Sequence, residues 1–197
     1  MGIKMPIPID PELIQSVKQR LLRALPTSPS TAYNYNYMNI IPWQNAYVSG
    51  GAIASLIQGE EPKDYDVYFR EEPMTDPLNN TLRNVLLAVY NDEIADVKEE
   101  YRAYMGTDGK MVTENAITMK DGISLIFRSY DEPEYMKKTF DYLHCTPHYD
   151  IKNRTLHISP AAYWACTAKL LMVNNPDTVE QWRTDKFLRR GYRIPKD

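Results

Sequence analysis

The chain has 197 residues, a net charge of −3 at pH 7 and an isoelectric point near 5.7. Hydrophobic residues make up 43% of it and charged residues 25%, which is typical of a globular protein and argues against a disordered one. Because no overall positive charge is present, any nucleic-acid contact would need a local basic patch. No apolar run reaches about 18 residues, so we expect no membrane-spanning helix.

The length favours a single domain over residues 1–197, with a core at about 40–145 and a C-terminal helical part at about 159–191. Cys145 and Cys166 have the spacing of neither a metal site nor a disulfide framework. We therefore expect a reduced chain in the cytoplasm. The sequence does not indicate an oligomeric state.

The first predicted helix covers residues 11–25. Asp10 and Pro11 fit its N-cap and first turn, and apolar residues then recur at helical spacing. Residues 26–43 are irregular and contain a Tyr-Asn repeat. Packing of these aromatic rings over the core is the favoured interpretation, and stacking on a nucleic-acid base is the alternative.

Residues 47–69 predict a strand, a tight turn, a short helix and a second strand. Gly50 and Gly51 allow the sharp turn, and Ala52–Gln58 contains good helix formers. In the strand that ends at Phe69, alternation places Asp64 and Asp66 on one face.

Two carboxylates at this spacing lie roughly 6–7 Å apart at their Cα atoms, so both can reach one divalent cation. Asp64 and Asp66 are thus candidate ligands of Mg²⁺ or Mn²⁺, with phosphate oxygens and water completing the shell. The turn at Gly50 and Gly51 would offer backbone N–H groups to a triphosphate. Ser49 is a possible hydroxyl donor beside them.

This stretch resembles the signature of nucleotidyltransferases of the DNA polymerase β type, in which a Gly-Gly or Gly-Ser pair precedes Asp-x-Asp on a strand. The run from Gly50 to Val67, with Pro-Lys before Asp-Tyr-Asp, is most similar to the head domain of CCA-adding enzymes and poly(A) polymerases. The resemblance implies an α+β nucleotidyltransferase fold with a mixed β-sheet flanked by helices and followed by C-terminal helices. Lys63 lies in the Pro-Lys lead-in and is a candidate nucleotide ligand. The Arg-Asp pair of that branch is replaced by Ala54 and Ser55.

Further along, Asp76-Pro77 marks the start of a second amphipathic helix, which runs to about Val89. A hairpin follows, with strands at 116–120 and 123–128 joined by Asp121-Gly122. Residues 139–145 read as another strand.

The resembling family often has a third carboxylate on a strand of such a hairpin, where this chain has Ser124 and Ile126. Phe140-Asp141-Tyr142 is similar to an Arg-Asp-Phe segment of CCA-adding enzymes, which makes Asp141 the candidate third acid. That Asp141 caps a turn or pairs with a lysine is an open alternative.

Ser159-Pro160 begins a helix predicted to reach about Asn174. It carries Lys169, and the resemblance implies that a helical lysine can reach the triphosphate, although a solvated lysine is the commoner case. The last helix is predicted from Pro176 to Gly191, and it contributes to a basic stretch. This stretch is either a contact for RNA or a tail that balances acidic surface, and its candidate RNA contacts are Arg183, Lys186, Arg189, Arg190 and Arg193.

Together these features predict a metal-dependent nucleotidyltransferase that binds NTP, such as ATP, and moves NMP to a hydroxyl of RNA, protein or a small molecule. Pyrophosphate would be released, with Asp64, Asp66 and Asp141 as catalytic residues. The alternative is a weakly active or inactive protein of the same fold that binds nucleotide or a partner protein. The chain is also similar to short nucleotidyltransferase-like proteins of tailed bacteriophages, which would place it in the cytoplasm of the host.

Overall fold

The computed structural model describes residues 8–25, 37–74, 81–97 and 109–195. Six strands in these ranges form one mixed sheet: β1 (Ala46–Ser49), β2 (Tyr65–Phe69), β3 (Ala116–Thr118), β4 (Ile123–Ile126), β5 (His148–Asp150) and β6 (Thr155–His157). Their order in the sheet is β3-β4-β2-β1-β5-β6. The β2 and β4 strands run parallel, and the other neighbours run antiparallel.

Six α-helices accompany the sheet in the described ranges: α1 (Pro11–Ala24), α2 (Gly51–Ile57), α3 (Leu82–Val89), α4 (Pro133–Met136), α5 (Pro160–Thr167) and α6 (Gln181–Arg189). Short 3₁₀ turns join several of them. None of the helices described has the length and apolar character needed to span a bilayer.

Side-chain alternation along the central strands separates two apolar clusters. Val48 and Val67 face the larger cluster, to which α1, α2 and α5 contribute. Tyr47 and Tyr68 face the smaller cluster, where Phe187 of α6 is buried. The mixed sheet is therefore flanked by helices on both faces, as the α+β prediction requires, and its second face holds the C-terminal helix.

Several predicted elements are confirmed close to their expected bounds. The Asp10 carboxylate accepts the backbone N–H of Glu12 at 2.9 Å and caps α1 as expected. The predicted helix start at Asp76-Pro77 lies outside the described residues. The described helix α3 begins at Leu82, with the hydroxyl of Thr81 accepting from the backbone N–H of Asn84.

The prediction of a strand at residues 139–145 is wrong. The chain forms 3₁₀ turns at Lys137–Thr139 and Leu143–Cys145 instead. Between these turns it associates with residues 172–175, because Leu143 N donates to the Met172 carbonyl and Asn174 N donates to the Asp141 carbonyl. These long-range bonds replace the ladder that a strand would have formed.

The helix predicted to reach Asn174 is also too long, since α5 ends at Thr167. Lys169 lies just beyond it with φ +50°, a left-handed conformation that a helix interior does not allow. The chain then extends, and Leu170 forms a parallel bridge with Arg193. Lys169 is therefore not a helical lysine.

Candidate functional site

The turn between β1 and α2 lies directly beside Asp66, the aspartate of β2. Gly50 has φ +89°, and a Cβ atom built on it would lie 3.2 Å from Asp66 Oδ2. The pairing of Ser49 with Asp66 across β1 and β2 produces this approach. A glycine is needed here for both its backbone conformation and its lack of a side chain. The Gly50 N–H donates to the Cys145 carbonyl at 3.1 Å, so phosphate binding at this turn would fall to Gly51 and the amides after it.

Asp64 directly precedes β2 and Asp66 is the second residue of that strand, and their environments differ. Asp64 is exposed and Asp66 is half-buried. Burial and the neighbouring Asp64 raise the pKa of Asp66 to about 7, while Lys186, Arg183 and Arg128 act in the opposite direction on that pKa. Two carboxylates that repel each other are suited to bind a divalent cation, because the cation would relieve the repulsion between them.

Among the residues described, no group of three or more His, Cys, Asp or Glu side chains is arranged to hold a metal ion. Two protein carboxylates are nevertheless enough for Mg²⁺ when phosphate oxygens and water supply the other ligands. Asp64 and Asp66 could thus hold the ion only together with the nucleotide.

A cleft of about 1090 Å³ opens around these groups. It is lined by most of the predicted nucleotide and metal ligands: Gly50, Gly51, Lys63, Asp64 and Asp66. The cleft extends from α2 across β2 and β4 to α6. The site is therefore built from residues far apart in the sequence, including the C-terminal helix.

Two predicted nucleotide ligands lie outside the lining of this cleft. Ser49 is buried, and its hydroxyl donates to the Pro147 carbonyl at 2.9 Å. Lys169 Nζ donates to Glu60 Oε1 at 2.6 Å and forms an ion pair with it. Both side chains therefore form hydrogen bonds within the chain instead of lining the cleft.

Asp141 lines the cleft, but its carboxylate is held by a cation. It is 3% exposed, and Arg183 donates to both of its oxygens, with Nη2 to Oδ1 at 3.1 Å. The pairing partner is thus an arginine of α6 and not the lysine considered above. Burial lowers the pKa of Arg183, but its hydrogen bonds to Asp141 and the Coulombic attraction of neighbouring groups outweigh this effect, so the pKa is raised. A catalytic role for Asp141 stays a prediction.

The position beside Asp66 in the parallel pair β2/β4 is occupied by Ser124. Its hydroxyl shares a hydrogen bond of 2.6 Å with Thr118 of β3. The carboxylate that the resembling family often places on a hairpin strand has no counterpart at this position.

Cations that sequence reasoning did not assign to the nucleotide also line the cleft. Arg128, exposed after β4, and Lys186, half-buried on α6, have no ion pair or side-chain hydrogen bond among the described residues. Both act electrostatically on Asp66. Burial, Arg190 and Arg183 lower the pKa of Lys186. Arg128 lies at the end of the predicted hairpin, and no pattern in the sequence marks it.

Only some of the predicted RNA contacts line the cleft. Arg183, Lys186 and Arg190 line the cleft, whereas Arg189 and Arg193 do not. Arg189 Nε donates to the Asp185 carbonyl on the same helix at 3.3 Å. Three of the five predicted RNA contacts are thus part of the cleft.

The three histidines lie in two separate places. His148 and His157 stack across β5 and β6 with ring centroids 4.6 Å apart. His144 is fully buried among Phe187 and Tyr192, and neither of its ring nitrogens has a hydrogen-bond partner among the described residues.

Comparison with protein families identifies the chain. The family model described as "Gad2: Gabija anti-defense 2 family protein" matches residues 24–169, about three quarters of its length. The chain belongs to the Gabija anti-defense 2 family. The matched segment of this Gad2-family chain contains the glycine turn, Asp64, Asp66 and Asp141, whereas α6 follows it.

Two solved CCA-adding enzymes are similar in structure to this Gad2-family chain. The Thermotoga maritima CCA-adding enzyme complexed with tRNA matches with 12% identity and a TM-score of 0.48, over 95% of this chain and 40% of that one. A CCA-adding enzyme in apo form I matches with 15% identity and a TM-score of 0.49, over 95% and 41% of the two chains. The Gad2-family chain thus spans about two fifths of their length. A comparison with curated protein sequences found no match.

Proposed function

We propose that this Gad2-family chain is a metal-dependent nucleotidyltransferase that moves NMP from an NTP, such as ATP, to a hydroxyl acceptor. The family name indicates that the transfer would serve to oppose the Gabija system. We further propose that the chain is bacteriophage-encoded and acts in the cytoplasm of the host cell.

One observation carries this proposal: the glycine turn lies against the carboxylate pair inside a cleft that also contains uncompensated cations. Gly50 leaves room beside Asp66, whereas a Cβ at residue 50 would lie 3.2 Å from Asp66 Oδ2 and would require that carboxylate to shift. Arg128 and Lys186 line the same cleft and act electrostatically on Asp66, and neither forms an ion pair with a carboxylate of the described ranges. A carboxylate pair beside free cations is the arrangement expected where a metal ion and a polyphosphate bind together.

The residues divide into metal ligands and phosphate ligands. Asp64 and Asp66 would hold Mg²⁺ or Mn²⁺, which when bound neutralises charge on the triphosphate. Gly51, Lys63, Arg128 and Lys186 would position the phosphates. The acceptor oxygen forms a bond to the α-phosphorus, the bond from that phosphorus to the β-bridging oxygen breaks, and pyrophosphate leaves. The hydroxyl proton passes to a carboxylate of the cleft or to water.

A second candidate is a nucleotide- or protein-binding inhibitor that retains the fold without turnover. Two observations favour it: Ser124 stands beside Asp66, and Asp141 is occupied by Arg183. The anti-defense family name suits such an inhibitor equally well. The two candidates differ in whether bound nucleotide is consumed.

Thermal unfolding with each NTP, with and without Mg²⁺, tests whether a nucleotide and a metal ion bind together at this site. Stabilisation of about 2.7 kcal/mol is expected at a hundredfold excess of the correct NTP over its Kd, and only with metal. The Asp64→Asn and Asp66→Asn variants should lose it. Asp185→Asn is the matched control, because Asp185 is exposed on α6 and does not line the cleft. Equal stabilisation of Asp66→Asn and the wild type would contradict the assignment.

A further inference from the structure

We infer that the acceptor is a side-chain hydroxyl of a protein and not a nucleic acid. The inference rests on the proposed nucleotidyl transfer and concerns the part of the cleft that triphosphate and metal would leave free. It follows from the distribution of charge among the described residues of that cleft.

Most of the cations that line the cleft already have an anionic partner or a proposed role in binding the triphosphate. Six basic side chains line it: Lys63, Lys120, Arg128, Arg183, Lys186 and Arg190. Arg183 is neutralised by Asp141, and Arg128 and Lys186 face the proposed metal and triphosphate site. Lys63, Lys120 and Arg190 are left for an acceptor, and Lys63 itself is a candidate phosphate ligand.

Acidic side chains offset these remaining cations. Besides Asp64, Asp66 and Asp141, the acidic residues that line the cleft are Glu60, Glu61, Asp177 and Glu180. Glu60 and Glu61 are paired with Lys169 and Arg20, which lie outside its lining. When Lys169 and Arg20 are added to the three remaining cations of the cleft, five positive charges stand against these four carboxylates. The surroundings of the acceptor are therefore close to neutral.

A polynucleotide acceptor needs more positive charge than this. Each nucleotide brings a phosphate, and proteins that bind such strands neutralise several phosphates with Lys or Arg along a basic groove. Arg189 and Arg193, which would have extended such a groove, do not line the cleft. Outside the described ranges, the sequence adds only four basic residues against five acidic ones: Lys4, Lys98, Arg102 and Lys196 against Asp76, Glu99, Glu100, Asp108 and Asp197.

The rim of the cleft has features of a protein-binding surface. Trp182 is 56% exposed there, its indole N–H donates to Glu180, and Arg183 lies over its ring at 5.6 Å from the centroid. Trp and Arg are enriched where proteins bind one another, and charges of both signs at the rim are common there. A tryptophan can also stack on a base, but the phosphates of that strand would then lie beside Glu180.

In the proposed step, the Oγ of Ser or Thr, or the phenol oxygen of Tyr, forms a bond to the α-phosphorus of the NTP. The bond from that phosphorus to the β-bridging oxygen breaks, pyrophosphate leaves, and the hydroxyl proton is released to a carboxylate of the cleft or to water. The product is a protein carrying NMP in a phosphodiester, and no redox change occurs.

The test uses the full chain, Mg²⁺ and each NTP labelled with ³²P at the α-phosphorus. They are incubated with extracts of cells that carry the Gabija system and of cells that lack it. Each reaction is then divided and treated with proteinase K or with RNase and DNase, or passed through a small-molecule filter. The expected result is label that the filter retains, that treatment with proteinase K releases from the high-molecular-weight fraction, and that nucleases leave unchanged.

Nuclease-sensitive label would overturn the inference and leave the proposed transfer intact, and so would a filterable labelled product that is distinct from the NTP, NDP and NMP present without extract. No labelled product of any kind, with metal-dependent NTP binding intact, would overturn both and favour the inhibitor. Trp182→Ala should reduce protein labelling at least about tenfold without changing NTP binding. Leu188→Ala is its control, because Leu188 is 41% exposed on the same helix but does not line the cleft. Equal labelling by both variants would overturn the role of the rim.

Discussion

At the scale of single residues, the site depends on how closely Gly50 approaches Asp66. A Cβ at residue 50 would meet Asp66 Oδ2 at 3.2 Å, whereas a Cβ on Gly51 would have no neighbour within 4 Å. Gly50 has φ +89° and ψ −153°, a region that is essentially restricted to glycine. Gly51 is the first residue of α2 and has no such constraint. The two glycines of the motif are thus not equivalent.

We expect Gly50→Ala to lower the free energy of unfolding by about 1–3 kcal/mol, because it strains the backbone and displaces Asp66. It should also abolish metal-dependent NTP binding. Gly51→Ala should keep that free energy or raise it by up to about 1 kcal/mol, since alanine restricts the unfolded chain. Urea unfolding and NTP titration of both variants measure these effects. A Gly50→Ala protein as stable as Gly51→Ala would contradict the proposed geometry.

Sequence reasoning located the residues whose placement follows from local spacing. The glycine turn and the Asp-x-Asp strand are adjacent in sequence, so strand alternation and turn chemistry were enough to bring Gly50, Gly51, Asp64 and Asp66 together. Ser49 and Lys169 were also expected to bind nucleotide, but their side chains are committed to Pro147 and Glu60. Local patterns cannot show which of several possible partners a side chain takes in the folded chain.

At the scale of secondary structure elements, α6 joins the site through a pair that no local pattern shows. Asp141 and Arg183 are 42 residues apart in sequence, and their hydrogen bonds fix α6 against the turn that follows residue 140. The same pairing explains why a strand predicted at 139–145 is absent. Asp141 bonds to α6, and the backbone of residues 141 and 143 bonds to residues 172–175 instead of forming a ladder with a strand of the sheet.

Removing Arg183 should be costly, because Asp141 would remain buried without its cation. We expect Arg183→Leu to lower the free energy of unfolding by about 3–5 kcal/mol. Combining it with Asp141→Asn should recover part of this loss, with a coupling energy of about 1–3 kcal/mol in a double-mutant cycle measured by urea unfolding. Additive effects of the two substitutions would contradict a direct pair.

The single variant Asp141→Asn separates the two roles open to this carboxylate. If Asp141 only anchors α6, the rate of NMP transfer should fall only in proportion to the fraction of the variant that is unfolded. If it is also the third acid, transfer should be lost at a temperature where the variant remains folded. The unfolding midpoint and the transfer rate of the same preparation decide between them.

Packing of α6 also buries His144, which predicts a pH dependence. Burial lowers the pKa of His144 to about 3, so between pH 6.5 and 3 the unfolded chain takes up a proton that the folded chain excludes. Its stabilising contribution is present above pH 6.5 and is lost as the pH falls. The free energy of unfolding should therefore decline from pH 7 to pH 5.

The His144→Phe variant should show a shallower decline than the wild type, because the phenyl ring fills the same aromatic cluster without taking up a proton. The maximal contribution of one histidine is about 1.4 kcal/mol per pH unit. His148, whose pKa burial lowers to about 4, contributes a decline of the same sign in both proteins, whereas Asp66, whose pKa is raised to about 7, contributes a rise in both as the pH falls. Parallel curves for the two proteins, measured by urea unfolding at pH 7, 6 and 5, would contradict this account.

At the scale of the whole molecule, one cleft combines an N-terminal turn, a central strand and a C-terminal helix. The family match covers residues 24–169 and so includes the aspartate pair, while the cations Lys186 and Arg190 come from the segment after it. The strand, turn, helix and strand at residues 47–69 were predictable from local patterns, and the mixed sheet flanked by helices was predictable from the resemblance of that stretch to nucleotidyltransferases. The contribution of α6 to the cleft was not, because it depends on long-range packing of Phe187 and Tyr192 into the second apolar cluster.

The central claim is that Asp64 and Asp66 support turnover of NTP. It is tested most directly by measuring pyrophosphate released with Mg²⁺, each NTP and an extract of cells that carry the Gabija system. The wild type should release pyrophosphate in step with the nucleotide it transfers, at least about a hundredfold faster than Asp64→Asn. Equal release from the two proteins, or none from a wild type that binds NTP, would contradict the claim.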